Sequence, residues 1–171
     1  MDADNRPGVI RLLIYMLAAA GMTGGFAGWI QSSEAVIWTA SLNLPDWTPS
    51  GIVPVILSIL INQLIAISLW ITQRSDTGPI RFVAAALQIG LVIGLALKVC
   101  ITFGGQDIKA AFLASLGLWV YAVLALAVVG RCSRPAGWLL WPLFAWLTFS
   151  VILSFEVLRL NDTSSPFVGG F

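Results

Sequence analysis

The sequence predicts an all-α integral membrane protein, a five-transmembrane-helix bundle with one long, partly ordered loop between helices 1 and 2. Three observations carry this. Of 171 residues, 58% are hydrophobic and 10% are charged, whereas a soluble domain carries about 25% charged residues. The apolar residues fall into five runs, each near the roughly 20 residues that a helix needs to cross a bilayer. The runs do not alternate in polarity, as the strands of a membrane barrel would. At this length a single membrane domain over 1–171 is expected.

The first run, 9–30, reads VIRLLIYMLAAAGMTGGFAGWI. Its alanines resemble a signal-peptide cleavage site, but the leader carries Asp2 and Asp4 and the apolar run continues to Trp29, which favours a retained helix. The remaining helices are expected at about 52–72, 82–103, 108–129 and 138–160. Three of the connections are short and rich in turn residues: Gly78-Pro79, Gly104-Gly105, and Pro135 with Gly137. Such links make antiparallel neighbours. The exception is 31–51, which contains WTASLNLPDWTPSG, with two tryptophans and two prolines. Long connections in compact domains are usually functional or disordered, and the tryptophans argue for order. The tail, 161–171, reads as unanchored.

Arginine and lysine set the orientation. Arg6, Arg11, Arg74, Arg81, Arg131 and Arg134 fall on one side, and Lys98, Lys109 and Arg159 on the other. This asymmetry places the N-terminus in the cytoplasm and the C-terminus outside, in the cell (inner) membrane. The long loop then faces outward. In this arrangement Cys100 and Cys132 lie near opposite ends of the roughly 30 Å hydrocarbon core. That is too far for a disulfide, which needs Cα atoms within about 7 Å.

The composition also excludes chemistry. There is no histidine and there are two cysteines, so no zinc, haem or iron–sulfur ligand set is available, and neither a metal nor a cofactor is expected. The commonest general base is missing as well. A net charge of +1 leaves no footprint for nucleic acid.

Several positions stand out. Pro142, Trp146, Ser150 and Ser154 recur at steps of four and share one helix face. Such a face suits the bundle interior, either as a pocket wall or as a packing seam of small residues. Glu156 and Arg159 are spaced to pair. With Lys98 they form either a polar mouth for the acidic groups of a ligand or an interfacial anchor. Gly21-x-x-x-Gly25, Gly24-x-x-x-Gly28 and Gly90-x-x-x-Gly94 are small-residue seams, and Gly90 with Gly94 is a candidate homodimer seam. Asn62, Gln63 and Gln88 lie within apolar runs and are expected to bond to neighbouring helices. Trp29, Trp70 and Trp138 sit at run ends, where aromatic belts form.

The loop residues Trp38, Leu42, Pro45, Trp47 and Pro49, followed by Pro54, resemble the pattern of the tryptophan-rich sensory protein and translocator family, also called TspO/MBR. The fifth run is similar to that family too, in Pro142, Trp146, Thr148 and FEVLRLN (Phe155 to Asn161). The resemblance covers nearly the whole chain. It marks a diverged member: Leu57 and Ile61 stand where the family usually has Trp and Tyr, Val92 and Leu95 where it has Asn and Trp, and Leu153-Ser154 where it has Leu-Asn. Phe155 replaces the Tyr of a proposed cholesterol motif.

The resemblance implies a loop folded over a cavity between the helices, with Trp38, Leu42, Pro45, Trp47, Trp146, Ser150 and Ser154 as ligand-binding residues. It implies a binding protein for porphyrin-like or sterol-like molecules, acting in sensing, transport or disposal. The alternatives are a porphyrin-degrading enzyme using Trp38 and Trp146, and a structural membrane subunit without a ligand. Membrane lipid, a lipophilic small molecule and a second copy of the chain are the expected partners.

Overall fold

The computed structural model describes residues 8–75 and 77–161; Arg6, the acidic leader residues and the tail beyond Asn161 lie outside these. Seven α-helices follow in order: α1 (Val9–Ser32), α2 (Ala35–Ala40), α3 (Val53–Arg74), α4 (Ile80–Val99), α5 (Ile108–Cys132), α6 (Arg134–Leu139) and α7 (Trp141–Asn161). A π-helical turn, Cys100–Gly104, continues α4. Among the described residues, five helical segments are long and apolar enough to cross a membrane, the last being α6 and α7 together. The protein is an integral, multi-pass membrane protein.

Local chemistry sets the helix starts. The Asp107 carboxylate accepts from the amides of Lys109 at 2.8 Å and Ala110 at 3.2 Å, capping α5 and satisfying donors that the helix itself cannot. Pro54 occupies the first turn of α3, where a missing N–H costs nothing. Gly51 and Gly78, which precede α3 and α4, both have φ of 65°, a conformation open to glycine but strained for most residues.

The fifth run differs from the single helix expected over 138–160. It starts earlier, at Arg134, and breaks at Leu140. Pro142 explains the break: it has no N–H to offer the Trp138 carbonyl, and its ring would clash there in a continuous helix.

The helices are antiparallel, so one end of the bundle carries the connection between α1 and α3, here called the connection end. Helix α5 is central, packed against α4 on one side and α7 on the other. Its buried residues are Ala111, Ser115, Leu118, Ala122, Ala125, Val129 and Cys132. They alternate steps of four and three, the spacing of a left-handed coiled-coil seam. Ile61 and Ile65 of α3, Leu91 of α4, and Leu140, Leu143 and Leu147 of the last span join this core.

Helix α1 is peripheral and contributes only Thr23 to the buried set. Lipid is as apolar as leucine, so apolar burial alone holds such a helix weakly. Three polar stitches join it to α3 instead. Tyr15 donates to Gln73 at 2.9 Å, Gln63 donates to the Met16 carbonyl at 3.1 Å, and Asn62 Nδ2 donates to Thr23 Oγ1 at 2.8 Å. Gln88 likewise ties α4 to Thr72 of α3 at 2.8 Å. The buried amides thus bond across helices, as their depth predicts.

The glycine seams divide differently from expectation. A Cβ at Gly90 would collide with the Tyr121 ring, and one at Gly94 would lie 2.6 Å from Leu118 Cδ1. Both glycines therefore receive α5 of their own chain, and the expected homodimer seam is filled from within. A Cβ at Gly21, Gly24, Gly25 or Gly28 would meet nothing within 4 Å, because α1 leans on α3 through its Tyr15, Met16 and Thr23 face.

The cysteines are free. Cys132 is buried at the end of α5, with its sulfur 3.1 Å from Ser75 Oγ and 3.0 Å from Thr77 Oγ1.

Candidate functional site

A cavity of about 370 Å³ opens between α1, α3, the end of α4 and α7. It exists because α1 packs on α3 without closing against α4. The size falls within the range of small-molecule sites, roughly 300–1,000 Å³. Met22, Phe26 and Ile30 form the α1 wall, and Val55 and Ile61 belong to the α3 wall. Leu95, Val99 and Phe103 line it from α4 and the π-helical turn. Such turns occur frequently at functional sites.

Trp146, Ser150 and Ser154 of α7 all line the cavity. The fourth member of their stripe, Pro142, is exposed; the break at Leu140 separates the start of α7 from the cavity. Trp146 is stacked on Phe149 at 5.4 Å between ring centres. Ser154 also lies 3.2 Å from Ser115 of α5, so it joins two helices as well as facing the space. Thr148, from the same helix, accepts the indole N–H of Trp119 at 2.9 Å. That bond accounts for a tryptophan in the middle of a span.

The connection contributes differently from expectation. Trp38, Leu42, Pro45 and Trp47 are not among the lining residues; Pro49 is. Trp38 ends up in the short helix α2. Trp47 is 47% exposed and meets Phe149 edge to face at 5.6 Å. It therefore sits one ring behind Trp146 and braces the wall without reaching the space. A clamp holds the connection down. Asn161 Oδ1 accepts from the Asn43 amide at 2.9 Å, and Asn161 Nδ2 donates to the Asn43 carbonyl at 2.9 Å. The side chain of Asn161 thus completes both backbone bonds of Asn43, in the manner of a paired strand. The fifth-run motif ended on this residue, but its spacing gave no hint of a partner 118 positions away.

The cavity is apolar with a few polar groups. Asn62 is 8% exposed, and its Oδ1 has no hydrogen-bond partner; Thr102 Oγ1 is buried and equally unpaired. Both residues line the space. Lys98 lines it too. Glu156 and Arg159, the other expected members of a polar mouth, pair with each other at 2.8 Å on α7 and are not among the lining residues. Among the described residues no group of His, Cys, Asp and Glu could hold a metal ion.

Trp70, expected in a lipid belt, donates its indole N–H to the Gly8 carbonyl at 3.2 Å, and the Arg74 guanidinium lies over its ring at 4.6 Å. It pins the start of α1, far from the cavity. Trp138 does face outward, at 71% exposed.

Comparison with known proteins places this architecture. Residues 13–160 match the model of the TspO/MBR family. The chain is 30% identical over 142 residues to the tryptophan-rich protein TspO of Chlorobaculum tepidum, covering 80% of this chain and 88% of that protein. It is 33% identical over 126 residues to an uncharacterized membrane protein, YtaB, of Bacillus subtilis, covering 72% and 80%.

Proposed function

The chain belongs to the TspO/MBR family, and from that premise we propose that it binds lipophilic ligands of tetrapyrrole or sterol type within the membrane, for their sensing, transport or disposal. The observation that carries this reading is the cavity, apolar over most of its wall, with Trp146 facing it and two polar oxygens left unpaired. An unpaired buried polar group costs about 1–3 kcal/mol. A ligand that donates to Asn62 Oδ1 or bonds to Thr102 Oγ1 recovers part of that cost. Trp146, stacked on Phe149 and backed through it by Trp47, gives a flat molecule a rigid surface at little cost in side-chain entropy.

The test is a fluorescence titration of purified protein with a porphyrin and with a sterol. Trp146→Ala should weaken binding by about tenfold or more, since an aromatic contact adds about 0.5–1.5 kcal/mol beyond its buried area. Trp70→Ala, at the opposite end, should leave affinity unchanged. Equal losses in the two variants would mean that quenching reports partition into detergent or lipid, and the binding reading fails.

A further inference from the structure

We infer that Lys98 makes the cavity selective for acid-bearing lipophiles, pairing its ammonium with a ligand carboxylate; this rests on the binding reading above. The placement of Lys98 carries the inference. Leu95, Lys98, Val99 and Thr102 follow the spacing of one helix face, and all four line the cavity. Leu97 and Ile101 are exposed and take the lipid side. Lys98 also lies six residues before the end of the span at Gly104, about 9 Å along the axis. It therefore lines the empty space more than one helical turn inside the end of the apolar span.

No carboxylate among the described residues answers it. The described acids are Glu34, Asp46, Asp107 and Glu156, and none lines the cavity. Glu156 is held by Arg159, and Asp107 caps α5. Lys98 makes no hydrogen bond or ion pair with the described residues. A cation in an apolar wall is costly unless paired. An occupant of the cavity can supply the missing anion. Asn62 Oδ1 and Thr102 Oγ1, unpaired in the same cavity, suit a ligand with further polar atoms. A neutral sterol leaves Lys98 unanswered, whereas a tetrapyrrole acid answers it.

The experiment compares a dicarboxylic porphyrin with its dimethyl ester, titrated against the full chain in phosphatidylcholine nanodiscs. The two probes share a flat apolar body and differ in charge. The expected result is an acid preference of about tenfold or more. Lys98→Met should collapse the acid-to-ester ratio to about one, and Lys98→Arg should keep the preference. Size-exclusion profile and helical circular dichroism confirm that each variant is folded. Equal binding of acid and ester by the unmodified protein overturns the inference, as does a preference that survives in Lys98→Met. A preference erased by adding phosphatidylglycerol assigns Lys98 to a lipid headgroup and also overturns it. Failure of both probes to saturate overturns the binding reading, and this inference with it.

Discussion

At the residue scale, glycines and tryptophans divide into those the fold uses closely and those it leaves open. Gly90 makes room for the Tyr121 ring, whose hydroxyl donates to the Leu87 carbonyl at 3.2 Å. Gly90→Ala should push that ring aside and cost about 1–3 kcal/mol, the usual range for overpacking. Thermal unfolding in detergent checks this. Gly117→Ala, where a Cβ meets nothing within 4 Å, should be neutral or mildly stabilising, since alanine favours the helix by about 1 kcal/mol. If Gly90→Ala proves as harmless as Gly117→Ala, α4 and α5 do not meet at this seam. The spacing of Gly90 and Gly94 marks a close-packing face. It does not say whose helix fills that face, because the 3.6-residue period fixes a side and not a partner. Trp47 is half legible in the same way. Its place in a long, proline-bearing loop marks it for order. Nothing in the loop reveals that the ring of Phe149, three residues after Trp146, stands between it and that tryptophan.

At the scale of the element, the last span and the connection act together. Hydropathy alone places a helix over 138–160. It shows no break, because Leu140 and its neighbours are as apolar as the rest. Pro142 is visible in the sequence, but as a member of a face and not as a missing donor. The clamp between Asn161 and Asn43 is not legible at all, since nothing local connects two asparagines so far apart. Asn161→Ala removes both bonds to Asn43. Each is worth about 0.5–1.5 kcal/mol, enough to loosen the connection without unfolding the spans. The expected outcome is faster proteolysis within 41–51, with the melting of the bundle little changed. Cleavage at the original rate would show that Trp47 and Phe149 hold the connection without the clamp.

At the scale of the whole molecule, five spans are legible because apolar length is a strong signal. The cavity is legible only as one of two readings of the Trp146–Ser150–Ser154 face and as an implication of the family resemblance. Its physical origin, a peripheral α1 stitched to α3 by polar bonds and packed far less against α4, depends on pairings that no single run encodes. The distribution of Arg and Lys predicts which way the bundle faces. A reporter fused after Phe171 should read as outside the cell and one at Met1 as inside. A cytoplasmic reading at both ends would contradict an odd number of spans.

The bond between Asn43 and Asn161 also orders events in time. A chain is made from its N-terminus, so the connection emerges when α7 does not yet exist. Through most of synthesis the walls from α1, α3 and α4 have neither Trp146 nor the residue that secures the connection. Only when the last helical residue described, Asn161, has been made can the clamp on the connection close. A nascent chain stopped before that point would carry all its apolar runs and yet leave the connection without its clamp.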